Sequence, residues 1–470
     1  MRRCERHTAP GDGAPARSPS VTVPGGRACV VFTFPRAARF LAPLDCGSGA
    51  VSDVEAARAG APGATALLRN GAFLRVWLTG GVAGVLRWLE LLAISVYVLE
   101  TTGSPFLVAL MTFLRMAPMF LFGIPAGALA DRYDRRRLLL IGLLVLAGAA
   151  AALTLLAVQG RIALWHIAAG TFLNGMFWAS EFPVRRIMLG EIAGVARLSR
   201  AMALESATSN ATRMIGPAVG GVLIQMIGLY GVYALGAVLY VVAALLVLPV
   251  VYRAAGGGSG SSLLTMLGEG WRFARAQRLI VGTLAVTVIV NLWGFAYITM
   301  VPVIGERALG LSPVLIGILM STEGLGAVIG ALLVARYDRP RQYTRIYTGS
   351  SAAFLLGVLA FGLSTWFPLS LALMLICGGG LAGFAVMQAT IVLLATPAAV
   401  RSRIMGLVTV AIGAGPIGML YVGVLADWLG AGAAVVLIAL QGLIALGLTA
   451  WYWPEMRRPV ALTPSTQSED

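Results

Sequence analysis

The sequence predicts an all-α polytopic membrane protein with twelve transmembrane helices in two pseudo-symmetric six-helix bundles. Of its 470 residues, 58% are apolar and only 12% are charged, about half the charged share of an ordinary soluble domain. Apolar runs of about 20 residues, long enough to cross a bilayer as a helix, recur from Phe73 to the C-terminus. A polar segment, Arg132-Tyr133-Asp134-Arg135, returns in the second half of the chain as Arg336-Tyr337-Asp338-Arg339. The chain is therefore expected to consist of two similar halves.

The predicted helices follow one another with short connections. Each boundary rests on an apolar run and on the polar or glycine residues that end it. We expect the spans at residues 73–98, 105–130, 138–158, 162–183, 203–227, 229–252, 279–304, 312–335, 346–366, 370–395, 404–427 and 432–453. The first six spans form an N-terminal bundle over residues 71–252, and the last six form a C-terminal bundle over residues 279–455.

The formal charge of +15 comes entirely from arginine, since the sequence contains no lysine. Such a charge is also a feature of nucleic-acid binding proteins, but its placement follows the membrane topology. Arginines concentrate in the N-terminal tail and in the loops after even-numbered spans, among them Arg185 and Arg186. The loops after odd-numbered spans carry only Arg161 and Arg307. Because positively charged loops stay in the cytoplasm, both termini are expected there, and no nucleic-acid partner is expected.

The two tails and the linker between the bundles are expected to lie in the cytoplasm. Residues 1–70 are rich in Ala, Gly, Pro, Ser and Arg, which predicts either a disordered tail or a start codon assigned too far upstream. Residues 253–278 form a linker, a Gly/Ser-rich stretch followed by an amphipathic helix with Leu263 and Trp271 on its apolar face. This helix either couples the bundles mechanically or tethers the linker to anionic lipid. Residues 456–470 form a second tail.

The polar segment between spans two and three is the predicted control element of the protein. It runs from Gly127 to Arg137 and reads Gly-Ala-Leu-Ala-Asp-Arg-Tyr-Asp-Arg-Arg-Arg. Its small residues allow a close helix contact, while its carboxylate and arginines can form and break pairs as a neighbouring helix moves. The residues assigned to this gating role are Gly127, Asp131, Arg132, Arg135 and Arg136. The second copy has Ala335 in place of the aspartate, so the charged element is expected on one side only.

Twelve spans in two halves, with this segment after span two, resemble the major facilitator superfamily. The resemblance rests on the loop pattern Gly-x-Leu-Ala-Asp-Arg-x-x-Arg-Arg, which the sequence matches from Gly127 to Arg136. Arg87-Trp88-Leu89-Glu90, and Asn210 with Arg213 before Gly216-Pro217, resemble the branch of enterobactin-type siderophore exporters and macrolide efflux proteins. The resemblance implies the two-bundle fold, a bacterial inner membrane, and export of a siderophore, an antibiotic or a similar small amphipathic molecule.

Span five contains a second motif of the superfamily. Gly216-Pro217-Ala218-Val219-Gly220-Gly221 matches the core of its antiporter signature, and Gly415-Pro416-Ile417-Gly418 in span eleven is a partial copy. Proline bends a helix and glycines allow close helix contact. Gly216, Pro217, Gly220 and Gly221 are therefore interpreted as a hinge that seals against leak, with ordinary small-residue packing as the alternative. The arginine that many proton-coupled drug exporters carry in span four is absent, and Thr171 stands near its position.

Charged side chains within the spans are expected to mark a transport pathway, because each costs about 2.5–3.5 kcal/mol at the membrane midplane unless it is paired or hydrated. The candidates, with one neighbouring amide, are Arg87, Glu90, Arg115, Glu181, Glu205, Asn210, Arg213 and Glu323. A carboxyl group removed from water holds a proton more readily, as proton antiport requires. Glu90 is the first assignment as proton carrier and Glu323 the second. Glu181 and Glu205 are weaker candidates, because both lie near predicted cytoplasmic ends where they can be solvated.

Two of these assignments have alternatives. Arg87 and Glu90 lie three residues apart, so they can pair on one helix face without any role in coupling. Arg213 can recognise an anionic or catechol-like solute through charge-assisted hydrogen bonds. Equally, it can hold a neighbouring glutamate.

The function predicted from these features is proton-coupled secondary export by alternating access, in which the two bundles rock about a midplane site. The sequence has no Gly-x-x-x-x-Gly-Lys-[Ser/Thr] phosphate loop, which argues against an ATP-driven pump. The four cysteines and two histidines show no metal or disulfide spacing, so we expect neither metal nor cofactor. A monomer that acts on a small molecule in the lipid bilayer is expected. An importer, a receptor without transport, and a polytopic membrane enzyme remain as alternatives.

Overall fold

The computed structural model describes residues 21–22, 28–29, 67–132, 134–194, 197–251, 263–336, 342–397 and 400–457. The chain divides into two compact units, residues 1–59 and 60–470. Within the described part of the first unit, two short strands, β1 (Val21–Thr22) and β2 (Ala28–Cys29), pair antiparallel. The described part of the second unit is helical.

Five helices build the N-terminal bundle in the described chain. They are α1 (Gly71–Thr102), α2 (Pro105–Arg132), α3 (Arg135–Val158), α4 (Leu164–Ala193) and α5 (Leu198–Val247). Helix α5 has 50 residues, a length of about 75 Å, which is more than twice the ~30 Å hydrocarbon core of a bilayer. It breaks at Gly228, whose φ of 65° lies in the left-handed region that glycine adopts readily. The break divides α5 between the predicted spans 203–227 and 229–252.

The linker helix and the C-terminal bundle follow. The helices are α6 (Leu263–Arg275), α7 (Arg278–Ile289), α8 (Val301–Arg307), α9 (Pro313–Arg336), α10 (Tyr343–Leu363), α11 (Phe367–Ala395), α12 (Arg401–Ile412), α13 (Gly415–Leu429) and α14 (Ala431–Tyr452). A π turn (Val290–Gly294) and a 3-10 turn (Phe295–Thr299) connect α7 to α8, and a 3-10 turn (Pro454–Met456) follows α14.

Two of the predicted spans contain an interruption of the α-helix. Pro302 has no N–H to donate to the preceding turn, and the chain before it changes to π and 3-10 geometry between α7 and α8. Pro416 has the same effect between α12 and α13. The predicted spans at residues 279–304 and 404–427 therefore agree with the apolar segments Arg278–Arg307 and Arg403–Leu429, each with an interruption inside the pass.

Nine helices of the described chain are long and apolar enough to cross a membrane, and Pro105–Met119 is a shorter apolar helix. One of the nine is the 48-residue segment Arg200–Val247, which the break at Gly228 divides. Helix α4, which carries Asn174 and Glu181 within its apolar run, is not among the nine. The predicted all-helical polytopic membrane fold is confirmed, while the exact count of twelve spans stays a prediction.

A helix occupies the part of the linker where the sequence predicts an amphipathic one. Helix α6 packs against α12, and a Cβ on Gly270 would lie 3.0 Å from the carbonyl oxygen of Arg403. Ala274 is buried on this side, whereas Trp271 is 53% exposed. The mechanical and lipid-binding roles of the helix both stay predictions.

The two bundles meet chiefly along two pairs of helices, α5 with α9 and α2 with α13. Glycines bring the first pair close together. A Cβ on Gly324 would lie 2.9 Å from the backbone nitrogen of Met214, and one on Gly317 would clash with the carbonyl oxygen of Pro217. In lipid, where the hydrophobic effect does not drive helices together, such close packing is a main source of helix association.

Replacing Gly228 by alanine is expected to lower the free energy of unfolding by about 1–2 kcal/mol, because a Cβ is strained in the left-handed region. Thermal unfolding of the purified protein in detergent, followed by tryptophan fluorescence, measures the change. Gly148→Ala is the matched control, since a Cβ there has nothing within 4 Å. Equal unfolding midpoints for the two variants would contradict the strain argument.

Candidate functional site

The four buried glutamates of the described helices and the arginines that contact them form three groups. We name them the Arg185 cluster (Arg87, Glu181, Arg185 and Glu205), the Glu90 cluster (Glu90 and Arg115 with Asn174 and Tyr240) and the Arg213 pair (Arg213 and Glu323). Each group holds as many arginines as glutamates. Each is therefore neutral overall, which reduces the cost of its burial.

The Arg185 cluster ties α1, α4 and α5 together. The Arg185 guanidinium donates to Glu181 one turn earlier on α4 and to Glu205 on α5. Arg87 of α1 donates to the second oxygen of Glu181 over 3.1 Å and lies over the Trp178 ring, 4.6 Å from its centroid. Arg185 and Glu181 thus each contact two oppositely charged side chains.

A glycine on α1 makes room for this cluster. A Cβ on Gly80 would lie 2.7 Å from Nε of Arg185 and closer still to the rest of the guanidinium. Removing one partner of such a buried network leaves an uncompensated charge, which costs about 3–5 kcal/mol. We infer that the Arg185 cluster stabilises the N-terminal bundle.

Three expectations about these residues are wrong. Arg87 contacts Glu181 and not Glu90. Glu181 and Glu205 are 1% and 2% exposed, so they are not solvated at a cytoplasmic end. Arg185, expected in a loop, is buried within α4, because that helix continues past Pro183 to Ala193. The charges that suggested a loop neutralise one another inside the bundle.

The Glu90 carboxylate lies closer to two uncharged hydrogen-bond donors than to Arg115. One oxygen accepts from Asn174 Nδ2 over 2.9 Å and from Arg115 Nη2 over 3.5 Å. The other accepts from the Tyr240 hydroxyl over 3.1 Å. Arg115 also donates to Asn174 Oδ1 over 3.1 Å. Arg115 therefore keeps a hydrogen-bond acceptor that does not depend on the charge of Glu90.

The separation between Glu90 and Arg115 distinguishes this pair from the other buried pairs. The N–O distance is 3.5 Å here, against 3.1 Å for Arg87 with Glu181 and 2.7 Å for Arg213 with Glu323. Glu205 lies closer still to Arg185. Coulomb attraction falls with distance. Among the buried glutamates of the described chain, Glu90 therefore loses the least attraction to a cation when it accepts a proton.

Two small cavities adjoin the Glu90 cluster, and Thr171 lines both. The first is also lined by Glu90, Asn174, Tyr233 and Tyr240, and the second by Arg115, Ser95 and Thr112, with apolar residues in each. Within the described structure, the Thr171 and Tyr233 hydroxyls and Nε of Arg115 are buried without a hydrogen-bond partner. Each cavity is about the size of one water molecule, with Thr171 and Tyr233 in the wall of the first and Thr171 and Arg115 in the wall of the second.

The cation beside Glu90 comes from span two rather than from span four. Gly175 on α4 allows this approach, because a Cβ there would clash with the backbone carbonyl of Arg115. Asn174 and Tyr240 were not identified from the sequence. In the sequence, each is a polar residue inside an apolar run, and many such residues have no role in a functional site.

The Arg213 pair joins the two bundles. Arg213 Nη2 on α5 lies 2.7 Å from Glu323 Oε1 on α9. The guanidinium lies over two rings, 5.0 Å from the Trp88 centroid and 5.8 Å from that of Phe295. The side chain of Arg213 is 16% exposed and that of Glu323 is 3% exposed, so the arginine is the accessible member of the pair.

Arg213 has hydrogen-bonding capacity beyond its contact with Glu323. Its Nε is buried without a partner in the described structure. In sequence, Arg213 is equidistant from Leu198 and Gly228, where this pass begins and breaks, so the pair lies near the middle of the pass. Asn210 donates to the Ser206 carbonyl on its own helix over 3.1 Å and does not join the pair.

The predicted gating residues lie around the end of α2 and the start of α3. Gly127 lies within α2, and the side chains of Asp131 and Arg132 lie outside the described part of the chain. Arg135 donates to Glu191 of α4 over 2.8 Å, and Arg136 donates to the carbonyl of Leu248. Both contacts remain within the N-terminal bundle. The gating role stays a prediction.

The predicted hinge residues lie where α5 passes between α1 and α9. On the side of α1, a Cβ on Gly216 would lie 2.5 Å from Cβ of Trp88, and one on Gly220 would lie 2.8 Å from the carbonyl oxygen of Leu89. On the side of α9, Gly221 lies against Pro313. These contacts show close packing, and bending at Pro217 stays a prediction.

The chemistry of the site is that of ion pairs, hydrogen bonds and aromatic surfaces. In the described residues, no group of three or more His, Cys, Asp or Glu side chains has an arrangement suited to a metal ion. The groups that can change state are the carboxylates of Glu90 and Glu323, together with the contacts of Arg213.

Comparison with known proteins finds transporters. Residues 62–464 match the family described as transmembrane secretion effector. The staphyloferrin A transporter of Staphylococcus aureus is 26% identical over 279 residues, 58% of this chain and 69% of that protein. Macrolide efflux protein A of Streptococcus pyogenes is 23% identical over 292 residues, 61% of this chain and 71% of that protein.

A solved structure shares the fold. It is that of a bacterial homologue of the human lysosomal transporter Spinster, in an inward-facing and occupied conformation. The TM-score is 0.63 at 13% sequence identity, and the match covers 83% of this chain and 97% of that one. At this identity the likeness shows the fold alone.

Arg185→Met is expected to lower the free energy of unfolding by about 3–5 kcal/mol, because it leaves two buried glutamates with one arginine. The unfolding midpoint in detergent measures the effect. Arg186→Met is the matched control, since Arg186 is the next residue and lies over the Phe182 ring at 4.1 Å, a contact worth about 1 kcal/mol. If both variants unfold at the same temperature, the Arg185 cluster does not have the stabilising role inferred here.

Proposed function

We propose a transport mechanism for this chain, which belongs to the transmembrane secretion effector family of the major facilitator superfamily. The chain is a multi-pass membrane transporter of small molecules, and the resemblance to the siderophore and macrolide branch is confirmed. The proposed activity is export of a small amphipathic molecule in exchange for protons, by alternating access of the two bundles. The name of the macrolide efflux relative supports the direction.

The observation that carries the proposal is the Arg213 pair. It is an ion pair between the bundles near the middle of a membrane pass, over aromatic rings from both sides of the interface. Separating the bundles must break or hydrate this pair. A molecule that binds one member therefore changes the free energy of separation, as alternating access requires.

The contacts between the bundles indicate which end is closed. At the end where α1 leads into α2, which we call the Gly103 end, Ser104 donates to Asp427 of the other bundle and Arg307 donates to the carbonyl of Gly103. The arginine-rich connections lie at the opposite end, which we place in the cytoplasm. The Gly103 end then faces outward and is closed, and both termini lie in the cytoplasm of a bacterium.

Glu90 is the proposed proton carrier. A protonated carboxyl group can donate one hydrogen bond and still accept others, so Glu90 can keep Asn174 and Tyr240 as partners after protonation. Arg115 retains its 3.1 Å hydrogen bond to Asn174 and is not left alone. Water in the adjoining cavities would supply the path for the proton.

Arg213 is the proposed substrate contact. Its free donors suit a carboxylate, a catecholate or another strong acceptor, and the Trp88 and Phe295 rings suit the apolar part of an amphipathic molecule. A substrate anion that engages Arg213 weakens its hold on Glu323, so binding and bundle separation are coupled. We propose that a monomer performs this cycle as a carrier and not as an enzyme, without a nucleic-acid partner.

Glu90→Gln is expected to abolish solute accumulation driven by a pH gradient while leaving solute exchange intact, because glutamine imitates the protonated state permanently. Inverted vesicles with an imposed pH gradient and a panel of siderophores and macrolides provide the assay. Accumulation and solute-induced proton release are both recorded. Glu100→Gln is the control, since Glu100 is an exposed acid on the same helix. Normal gradient-driven accumulation by Glu90→Gln would rule out the coupling assignment.

Arg213→Lys is expected to raise KM for anionic solutes by roughly 10- to 100-fold, because lysine keeps the charge but loses the planar fork, and a charge-assisted hydrogen bond contributes about 1.5–3 kcal/mol. KM for uncharged solutes should change little. Initial rates in the same vesicles measure both constants. Asn210→Ala, one turn earlier, is the control. An equal rise in KM for charged and uncharged solutes would argue against recognition of an anion by Arg213.

A further inference from the structure

A side chain of the C-terminal bundle caps a helix of the N-terminal bundle at the Gly103 end. Asp427, near the end of α13, accepts from the backbone N–H of Phe106 over 3.0 Å and from the Ser104 hydroxyl over 3.2 Å. Both donors lie at the start of α2, which begins at Pro105. A helix N-terminus presents free N–H groups and a partial positive charge. A carboxylate is the partner that it favours most.

Gln225 makes the equivalent contact in the other pair of helices. Its Oε1 accepts from the backbone N–H of Val314 over 3.4 Å. Val314 follows Pro313, with which α9 begins, just as Phe106 follows the first residue of α2. Helices α2 and α9 are both preceded by serine and begin with proline. Each receives a cap from the opposite bundle at the residue after that proline.

The positions of the two capping residues agree with the internal duplication. The segment that ends in Asp427 reads Gly-Val-Leu-Ala-Asp from Gly423, and the one that ends in Gln225 reads Gly-Val-Leu-Ile-Gln from Gly221. A Cβ on Gly423 would lie 2.6 Å from Cβ of Ala109 in α2, and one on Gly221 would clash with Pro313. In both segments the glycine allows the close approach, and the residue one helical turn later reaches the helix start.

The same ending occurs a third time in the chain. The pattern Gly-x-Leu-Ala-Asp ends α13 at Gly423–Asp427 and also lies at the end of α2 at Gly127–Asp131. Helices α2 and α13 pack against each other. The pattern lies near the C-terminal end of each helix, so the two copies lie at opposite ends of this helix pair. The pattern that contains Asp427 therefore occurs in both halves of this chain.

A further contact at this end has the opposite polarity. Arg307 of α8 donates to the carbonyl of Gly103, the C-cap residue of α1. Cations are favourable at helix C-termini, where the helix carries a partial negative charge. The three contacts described here thus all join a side chain of one bundle to a helix end of the other.

Helix α2 has a second cap that does not depend on the C-terminal bundle. The Ser104 hydroxyl oxygen accepts from the backbone N–H of Leu107 over 3.3 Å. When the bundles separate, Ser104 still satisfies part of the helix start, and water can solvate the exposed Asp427. The contact can therefore form and break without leaving a buried polar group unpaired.

We propose that Asp427 and Gln225 close the outward end of the transporter as a reciprocal pair of helix caps between the bundles. Asp427 is the stronger half, because its charge interacts with the α2 dipole as well as with its N–H groups. Gln225 is the neutral half. The inference rests on the proposed function only in requiring that the bundles separate at the Gly103 end.

The test measures the separation of the bundles directly. Spin labels are placed at Gln159 and Thr365, exposed positions on opposite bundles at the Gly103 end, in the full chain with its four native cysteines replaced by serine. Double electron–electron resonance in nanodiscs then gives the populations of closed and open distances. Asp427→Ala is expected to raise the open-to-closed ratio about tenfold, as for the loss of a strong helix cap, and Asp427→Asn less.

One substitution of Gln225, the uncharged cap, is expected to change the open-to-closed ratio in the opposite direction. Gln225→Ala is expected to raise the open-to-closed ratio about twofold, whereas Gln225→Glu is expected to lower it, because the glutamate adds a charge at the start of α9. Asn70→Ala is the control. Asn70 caps α1 within its own bundle, accepting from Ala72 and Phe73, so its loss should leave the ratio unchanged.

An unchanged ratio in Asp427→Ala, or a higher one in Gln225→Glu, overturns the proposal. Gln225→Glu keeps a hydrogen-bond acceptor at this contact. Its result therefore tests the proposal without removing the hydrogen bond. The outcome is separable from that of the proposed function. If the distances shift as expected but no solute is transported, the reciprocal caps stand and the transport assignment fails.

Discussion

The structure depends on one constraint, that a charge in the interior of a membrane must have a partner. Glu90, Glu181, Glu205 and Glu323 are the buried glutamates of the described chain, and each contacts an arginine. An unpaired charge would cost several kcal/mol in that environment. The pairs therefore favour particular helix neighbours, because Glu90, Glu205 and Glu323 each contact an arginine on a different helix.

The three groups differ in how readily they can change. In the Arg185 cluster, shared partners make each charge depend on the others, which favours a fixed arrangement. Glu90 is farther from its arginine and is held by an amide and a phenol, which tolerate either protonation state. The Arg213 pair lies between the bundles, so its strength depends on their separation. One fixed network and two adjustable ones suit the proposed transport cycle, in which the bundles stay intact while they move.

The interface between the bundles consists of contacts that can be remade. Glycines on α5 and α9 allow close backbone packing, a contact whose loss exposes little polar surface. At the Gly103 end the contacts involve helix termini, whose free N–H and carbonyl groups can exchange a side chain for water. Such an interface stabilises one conformation without preventing another. In the proposed cycle, a small energy difference between two conformations would let a solute or a proton shift their populations.

The sequence alone determined the class of fold, the duplication and the identity of the costly residues, because each is a local property of an apolar run. Glu90, Arg213 and Glu323 are conspicuous in such runs whatever they contact. Only the tertiary structure decided the partners. Arg87 and Glu90 lie one turn apart but pair elsewhere, and Arg185 is buried where its charge predicted a loop. A helix that is apolar on all sides does not reveal which face meets which neighbour, so pairing across helices is not encoded in local periodicity.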